Sequence, residues 1–361
     1  MLNVVLAAAA VERLTGDPLW PLVISGPGNA KTETVQSLAG AGAQITSTIT
    51  SEGALLSATP RQLQAGRATG GLLLKLGNRS LLVIKDFTSI LSMDRNARGL
   101  VLAALREIYD GKWERNVGAA GGRTLTWTGR IVIVGACTTA WDTAHGVIAI
   151  MGDRFVIVRA DSVADQARMR SARQAIRNTG QEIQMRAELA AAAGRLIANV
   201  STAEYQLTEA ETEQLIKLAN IVTWARTGVE RDYKGEMVDA HALEMPTRFV
   251  KQLTQLMRGA VAIGLLPELA MRLAIRCARD SIAPLRRNIL LDVAAHPRAR
   301  SREVADRISR PHPTIRRELQ GLNMLGVLHC DRTHAVQGGR EHTFEYYSLA
   351  LALDRDLLLS M

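Results

Sequence analysis

Apolar, β-branched runs alternate with amphipathic stretches over about the first 160 residues. Four such runs are PLVIS (21–25), LLVIK (81–85), IVIVGA (131–136) and FVIVRA (155–160). Continuous apolar runs are typical of strands buried on both faces, as in a parallel sheet covered by helices. The pattern therefore predicts an α/β fold, with a first domain at residues 1–162.

The pattern changes to helical periodicity after this first domain. Residues 163–199 are polar and rich in Ala and Arg, and residues 208–226 and 246–264 are two further amphipathic stretches. No run between these two stretches is typical of a strand. We therefore expect an all-helical domain at residues 163–275.

Three helices and a hairpin are predicted within residues 276–361. The first helix covers residues 283–296, Ser301 is expected to cap the second, and Pro313 opens the third. Residues that favour strands then flank a turn at 338–339. Three helices followed by a hairpin is the layout of a winged helix-turn-helix domain.

The composition is that of a basic globular protein. The 361 residues are 47% hydrophobic and carry a formal net charge of +9, which favours an anionic partner, nucleic acid first. Three widely spaced cysteines argue against a disulfide framework or a zinc site and favour a reducing cytoplasm. No run approaches about 18 apolar residues, so no membrane span is predicted. The apolar opening stretch contains Glu12 and Arg13, so we expect a helix there and not a signal peptide.

A glycine-rich turn follows the first apolar run and precedes a helical pattern. Small residues there allow successive backbone N–H groups to surround a phosphate, a Lys reaches the β- and γ-phosphates, and a Thr hydroxyl binds Mg²⁺. The sequence therefore predicts a phosphate loop for ATP. Its expected binding residues are Gly26, Pro27, Gly28, Asn29, Ala30, Lys31 and Thr32.

This loop departs from the pattern G-x-x-x-x-G-K-[ST] at two positions. Ser25 stands in place of the first Gly and Ala30 in place of the second. Ala30 adds a methyl group where such loops are usually tightest, so weaker nucleotide binding is expected.

The second apolar run ends in Asp86, which is expected to hold Mg²⁺ together with Thr32. Most ring ATPases have a Glu directly after this Asp to polarise the attacking water, and Phe87 occupies that position here. Either hydrolysis is slow or another acid takes this role. The candidate acids are Glu33, Asp94 and Glu107.

The order of these elements resembles the AAA+ ATPases, specifically the branch of the minichromosome-maintenance helicases. A glycine-tipped hairpin is predicted at residues 113–127, just before the third apolar run. In the helicases that this chain resembles, a hairpin at this place reaches DNA. The resemblance therefore implies DNA contacts for Arg115 and Arg123.

The resemblance also implies three further ATPase residues. Thr138, with Thr139 as a reserve, follows the third run at the position where these helicases sense the γ-phosphate. Arg154, in MGDRF (151–155), is the expected arginine that reaches the neighbouring subunit's γ-phosphate, and Arg248 is the expected second sensing arginine. A surface ion pair for Arg154 and a solvated side chain for Arg248 are the alternatives.

The third helix of the C-terminal domain is expected to enter the major groove of DNA, with the hairpin as a wing. The expected DNA contacts are His312, Thr314, Arg316, Arg317 and, on the wing, Arg340. A winged helix that binds protein remains the alternative.

The resemblance implies an ATP- and Mg²⁺-dependent helicase or translocase acting on single- or double-stranded DNA. It implies self-association into a ring, expected to be a hexamer, in the replication of a genome or mobile element. Phe87 and Ala30 favour instead a nucleotide-switched DNA-binding regulator or loader with little hydrolysis. A protein-remodelling ATPase is the third possibility.

Overall fold

A computed structural model describes residues 1–57, 70–118, 122–143, 154–160, 165–232, 237–337 and 340–361, leaving aside the side chains of 165–167, 231, 237, 335–337 and 340–342. These residues belong to two compact units. The first contains Met1–Ala144, Arg154–Gln206 and Lys251–Ala274, and the second contains Leu207–Val250 and Ile275–Met361. Each unit is described by itself.

The first unit is built on five parallel strands and a separate antiparallel hairpin. Its strands are β1 (Pro21–Ile24), β2 (Gln44–Thr46), β3 (Arg79–Ile84), β4 (Lys112–Val117), β5 (Arg123–Thr128), β6 (Arg130–Cys137) and β7 (Val156–Arg159). The parallel sheet has the order β2-β3-β6-β1-β7, and β4 pairs with β5.

All four apolar runs are strands of this sheet, so the predicted α/β fold with a parallel sheet is confirmed. Every residue of β1 is buried, as are residues 131–137 of β6. The short edge strand β2 was not predicted, because its three half-buried residues form no apolar run.

Helices cover the sheet and connect its strands. Those that lie wholly in the first unit are α1 (Leu2–Val11), α2 (Lys31–Gln36), α3 (Glu52–Leu55), α4 (Leu72–Leu76), α5 (Thr88–Leu91), α6 (Arg95–Tyr109), α7 (Asp165–Asn178) and α8 (Glu182–Ala198). The predicted N-terminal helix is present as α1, and its last eight residues are buried. An apolar helix without a polar face requires such burial.

Two glycines bring α8 against a 3₁₀ turn at Ser37–Ala41. A Cβ atom on Gly194 of α8 would lie 2.3 Å from the carbonyl oxygen of Gly40, and one on Gly40 would lie 1.8 Å from the carbonyl oxygen of Ala190. The two backbones therefore approach each other more closely than any larger residue would allow. Because this turn directly follows α2 in sequence, the contact places α8 close to the end of α2.

Among the described residues, the second unit contains five helices, and two more have residues in both units. Its helices are α9 (Glu209–Arg226), α12 (Pro284–Ala295), α13 (Ser301–Arg307), α14 (His312–Met324) and α15 (Arg355–Ser360), while α10 (Thr247–Ala262) and α11 (Pro267–Asp280) have residues in both units. Its strands are β8 (Val229–Arg231), β9 (Met237–Ala240), β10 (Ala299–Arg300), β11 (Leu328–Gln337) and β12 (Arg340–Leu349).

Two sequence expectations for this unit are wrong in detail. Strands β8 and β9 pair antiparallel between α9 and α10, where no strand was expected, because β8 and β9 are too short and polar to form an apolar run. The N-cap position of α13 is occupied by Arg300, whose side chain makes no capping hydrogen bond, and Ser301 is the first residue of the helix. The carboxylate of Glu303 accepts a hydrogen bond from the Arg300 N–H at 2.9 Å, which leaves the Ser301 hydroxyl to hydrogen-bond His312.

Helices α12, α13 and α14 are followed by the long hairpin β11–β12, and β10 completes a sheet of order β10-β12-β11. Ile315, Leu319 and Leu322 form the buried face of α14. Their spacing leaves the opposite face of α14 in solvent. None of the helices in the described ranges is both long and apolar enough to cross a membrane.

Candidate functional site

The carboxyl ends of β3, β6 and β1 lie side by side at one edge of the parallel sheet. The chain leaving β1 crosses to β2 on one side, whereas the chain leaving β6 crosses to β7 on the other. Ligands of open α/β sheets bind at such a switch point, beyond the carboxyl ends of the strands. Ser25 donates its N–H to the carbonyl of Cys137 at 3.2 Å, and Phe87 donates its N–H to Ala136 at 2.8 Å. These bonds align the segments that follow β1, β6 and β3.

The predicted phosphate loop lies at this edge, directly after β1. Gly28 has a φ of +80° and Ala30 a φ of +51°, so the loop enters the left-handed region twice. Backbone that alternates between right- and left-handed conformations turns successive N–H groups toward one point, which forms an anion-binding concavity. Ala30 has this conformation although it carries a Cβ atom, which costs roughly 1–2 kcal/mol.

The polar side chains of the loop differ in their contacts and burial. Lys31 donates to the carbonyl of Gly26 at 3.3 Å, so its ammonium group lies across the loop. Asn29 Nδ2 is buried without a hydrogen-bond partner among the described residues. A buried donor of this kind is costly unless another group accepts from it. Thr32, the first-turn residue of α2, is half-buried.

Asp86 and Phe87 face different environments at the end of β3. Asp86 is exposed, and its Oδ1 accepts the N–H of Thr88 at 3.1 Å. Phe87 is 0% exposed and packs edge-on against Phe155 and Trp141, with ring centroids 5.1 and 6.0 Å away. The position that carries Glu in most ring ATPases therefore belongs to the aromatic core.

Thr88 joins the ends of β3 and β6, and sequence reasoning missed it. Its hydroxyl accepts the N–H of Thr138 at 3.0 Å and lies 3.3 Å from the Thr138 hydroxyl. Because Thr88 also donates its N–H to Asp86, it fixes Asp86 and Thr138 relative to each other. The Asp-Phe-Thr turn is the local signal that could have revealed this role.

The three acids considered as substitutes for the missing Glu differ in position. Glu33 of α2 accepts two hydrogen bonds from Arg186, each 2.8 Å long. Asp94 caps α6 by accepting the N–H groups of Asn96 and Ala97. Glu107 is exposed about 18 Å further along α6, toward the amino edge of the sheet. Glu33 and Asp94 thus lie at the beginnings of α2 and α6, whereas Glu107 lies near the end of α6.

Arg154 lies at the opposite edge of the sheet from the phosphate loop. It precedes β7, which runs parallel to β1 with Val156 beside Pro21, so a strand length of about 13 Å separates it from its own loop. Its side chain is 10% exposed, pairs with Asp110 at 3.2 Å and lies over the ring of Tyr109. From this position Arg154 does not serve the loop of its own chain.

Arg248 belongs to the second unit, where it lies 3.9 Å from Glu244. The same carboxylate accepts two hydrogen bonds of 2.7 and 2.8 Å from Arg226, whose side chain is 1% exposed and stacks on Phe249. Glu244 is therefore committed mainly to Arg226 and lies farther from Arg248.

The β4–β5 hairpin predicted before β6 is present, and its two arginines are placed differently. Trp113 and Trp127 face each other at its base and are both buried. Arg115 donates to Glu52 at 2.8 Å and to the carbonyl of Leu56 at 2.7 Å, so it ties the hairpin to the first unit. Arg123 is exposed near the tip, whose residues 119–121 lie outside the described ranges.

The residues predicted to touch DNA on α14 share its solvent-facing surface. His312, Thr314, Arg316 and Arg317 are all exposed. His312 and Arg316 also line a groove of about 710 Å³, together with Arg300, Arg302 and Glu303. Arg340 begins β12, and its side chain lies outside the described part of the chain.

Acidic neighbours divide the arginines around this surface into two groups. The arginines of the first group are held in ion pairs: Arg307 with Asp292, Arg298 with Asp331 and Arg300 with Glu303. The two hydrogen bonds from Arg307 to Asp292 raise the pKa of Arg307 above its ordinary value. Arg302 and Arg316 have no ion pair within the ranges that the structure covers. The second group is thus available to an anionic ligand without breaking an existing pair.

Comparison with known protein families found no match, and comparison with curated protein sequences found none either. The chain is an α/β protein with a five-stranded parallel sheet, compatible with a phosphate-loop core.

Ala30→Gly is expected to stabilise the first unit, because glycine adopts the left-handed conformation without a steric penalty. The expected gain in the free energy of unfolding is about 0.5–1 kcal/mol, since the greater freedom of glycine in the unfolded chain offsets part of the relief. Urea denaturation of both proteins measures it. Gly28→Ala is the matched reversal and is expected to lower the stability. A loss of stability in Ala30→Gly would contradict the left-handed conformation of Ala30.

Proposed function

We propose that this chain is an ATPase of the AAA+ class, resembling the minichromosome-maintenance helicases, that couples ATP to movement on DNA or to its unwinding. The observation that carries the proposal is the alignment of the loop, Asp86 and Thr138 at one edge of the sheet. A phosphate-binding loop, a carboxylate and a polar γ-phosphate sensor are the parts that ATP hydrolysis requires there.

Within this proposal, the loop backbone and Lys31 bind the phosphates of ATP, and Asn29 Nδ2 finds its missing acceptor there. Thr32 and Asp86 are the residues that would hold Mg²⁺. Mg²⁺ is usually bound through few protein ligands together with substrate phosphates, so a hydroxyl and one carboxylate are a suitable set. When bound, the ion neutralises phosphate charge. Thr88 keeps Asp86 and Thr138 in register.

Arg154 is proposed to complete the site of a neighbouring subunit. Its place at the edge opposite its own loop supports this role, because an arginine there meets a loop only across an interface between copies. A head-to-tail interface of this kind closes into a ring when the rotation permits, and a hexamer is the proposed assembly. Reaching a γ-phosphate would require Arg154 to exchange Asp110 for the phosphate.

Binding of DNA is assigned within the proposal to the C-terminal module and the β4–β5 hairpin. Three helices, a long hairpin and an exposed polar face on α14 support a winged helix-turn-helix, with α14 in the major groove. Arg302 and Arg316 are the phosphate contacts that the ion-pair pattern favours. On the β4–β5 hairpin, Arg123 remains a proposed DNA contact. Arg115 does not, because it already bonds to Glu52 and Leu56 of its own chain. Helices α10 and α11 are proposed to form a lid that presents Arg248.

The burial of Phe87 favours a second candidate, a DNA-binding protein that ATP switches between assembly states with little hydrolysis. A residue in an aromatic core supplies no carboxylate to an attacking water. Slow turnover with firm ATP binding distinguishes this candidate from a motor.

Two inactive variants are expected to restore each other if the ATP site is shared between subunits. Lys31→Ala removes phosphate binding in one subunit, and Arg154→Ala removes the arginine offered to the next. Each variant alone is expected to lose DNA-stimulated ATP hydrolysis. Mixed rings contain some interfaces with both native residues, so the mixture is expected to regain part of the activity in a steady-state phosphate-release assay.

Arg195→Ala removes an exposed arginine of the same unit and is the control, expected to leave DNA-stimulated ATP hydrolysis unchanged. Mixing that restores nothing, with assembly of both variants verified by light scattering, would contradict a shared site. No turnover by the native chain, despite ATP binding, would favour the switch over the motor.

Arg316→Ala is expected to weaken DNA binding more than Arg307→Ala, although both remove one positive charge from the same module. The reason is that Arg307 is engaged by Asp292, whereas Arg316 is exposed and without an ion pair in the described ranges. Fluorescence anisotropy with labelled duplex DNA at several salt concentrations measures both affinities. Loss of one phosphate contact lowers the salt slope by about 1. Equal losses in the two variants would contradict the assignment of this face to DNA.

A further inference from the structure

An arginine from a distant part of the chain holds Glu33, the acid that directly follows the phosphate loop in sequence. Arg186 Nε and Nη2 lie 2.8 Å from the two carboxylate oxygens of Glu33, a two-pronged arrangement that is stronger and more specific than a single contact. Glu33 follows Thr32 directly and Lys31 by two residues. A carboxylate therefore lies beside the loop to which the anionic triphosphate is proposed to bind.

An unpaired Glu33 would oppose that binding. At a separation near 10 Å, repulsion between one carboxylate and the several charges of a triphosphate weakens binding about three- to tenfold at low salt. The hydrogen-bonded guanidinium group compensates this charge. The backbone contact of Gly194 with Gly40 positions α8, and Arg186 lies about 12 Å upstream of Gly194 on the same helix.

We infer that Arg186 is a positioning residue that neutralises and orients Glu33 so that the loop accepts ATP. This role rests on the proposed function. It makes α8 part of the nucleotide site, although α8 lies about 150 residues beyond the loop in sequence. Because both of its carboxylate oxygens are bonded to Arg186, Glu33 is then no longer a candidate for the acid that polarises the attacking water.

The test measures the dissociation constant of ATP with Mg²⁺ for the full chain by isothermal titration calorimetry at low and high salt. Arg186→Gln is expected to weaken ATP binding about three- to tenfold at low salt and less at high salt, because salt screens exposed charges. Glu33→Gln removes the charge that needs compensation. The double variant is therefore expected to bind ATP at least as well as the native chain.

Arg195→Gln on the same helix is the matched control, since Arg195 is exposed and lies away from Glu33. It is expected to leave the affinity for ATP unchanged. Rescue by Glu33→Gln separates charge compensation from a purely structural role, in which the double variant would stay as weak as Arg186→Gln. That result, or an unchanged affinity in Arg186→Gln, would overturn the inference alone. Failure of the native chain to bind ATP would overturn the proposed function as well.

Discussion

The position of β6 between β3 and β1 is the constraint on which the candidate site depends. Hydrogen bonds from Ser25 and Phe87 to consecutive carbonyls of β6 fix the segments that leave β1 and β3 on either side of Thr138. Parallel strands place the segments that leave β1 and β3 at the same edge as Thr138, each about one strand spacing from the end of β6. The sheet order therefore brings the loop, Asp86 and Thr138 to one edge, and Thr88 ties Asp86 to Thr138 there.

At the carboxyl end of β3, a residue of the candidate site and a residue of the aromatic core are adjacent in sequence. Phe87 takes the place next to Asp86 and contributes to the ring cluster with Trp141 and Phe155. Burial of this side chain stabilises the sheet, but it leaves the exposed Asp86 as the acid at the end of β3. Under the proposed function, the residues that would bind a triphosphate are therefore better defined than the residue that would activate the attacking water.

The sequence predicted the elements that a short local pattern of residues determines. The four buried strands and the glycine-rich loop could be predicted because continuous apolar runs and small residues impose their structure locally. The strands β2, β8 and β9 could not, since they are short, polar and defined by their pairing partners. The Arg186–Glu33 pair joins residues 153 positions apart, and no local signal reveals such a contact. Arg115 resembled a DNA contact by position, and only its bonds to Glu52 and Leu56 indicate a structural role.

The most direct test of the central claim is whether the loop at residues 25–32 binds ATP. Equilibrium dialysis with labelled ATP and Mg²⁺ is expected to give saturable binding by the native chain. Lys31→Ala is expected to weaken it about tenfold or more, because a charge-assisted hydrogen bond contributes roughly 1.5–3 kcal/mol. Lys112→Ala, which removes a lysine paired with Glu114 on the hairpin, is expected to bind ATP normally. Native-level ATP binding by a folded Lys31→Ala protein, or no binding by the native chain, would contradict the account.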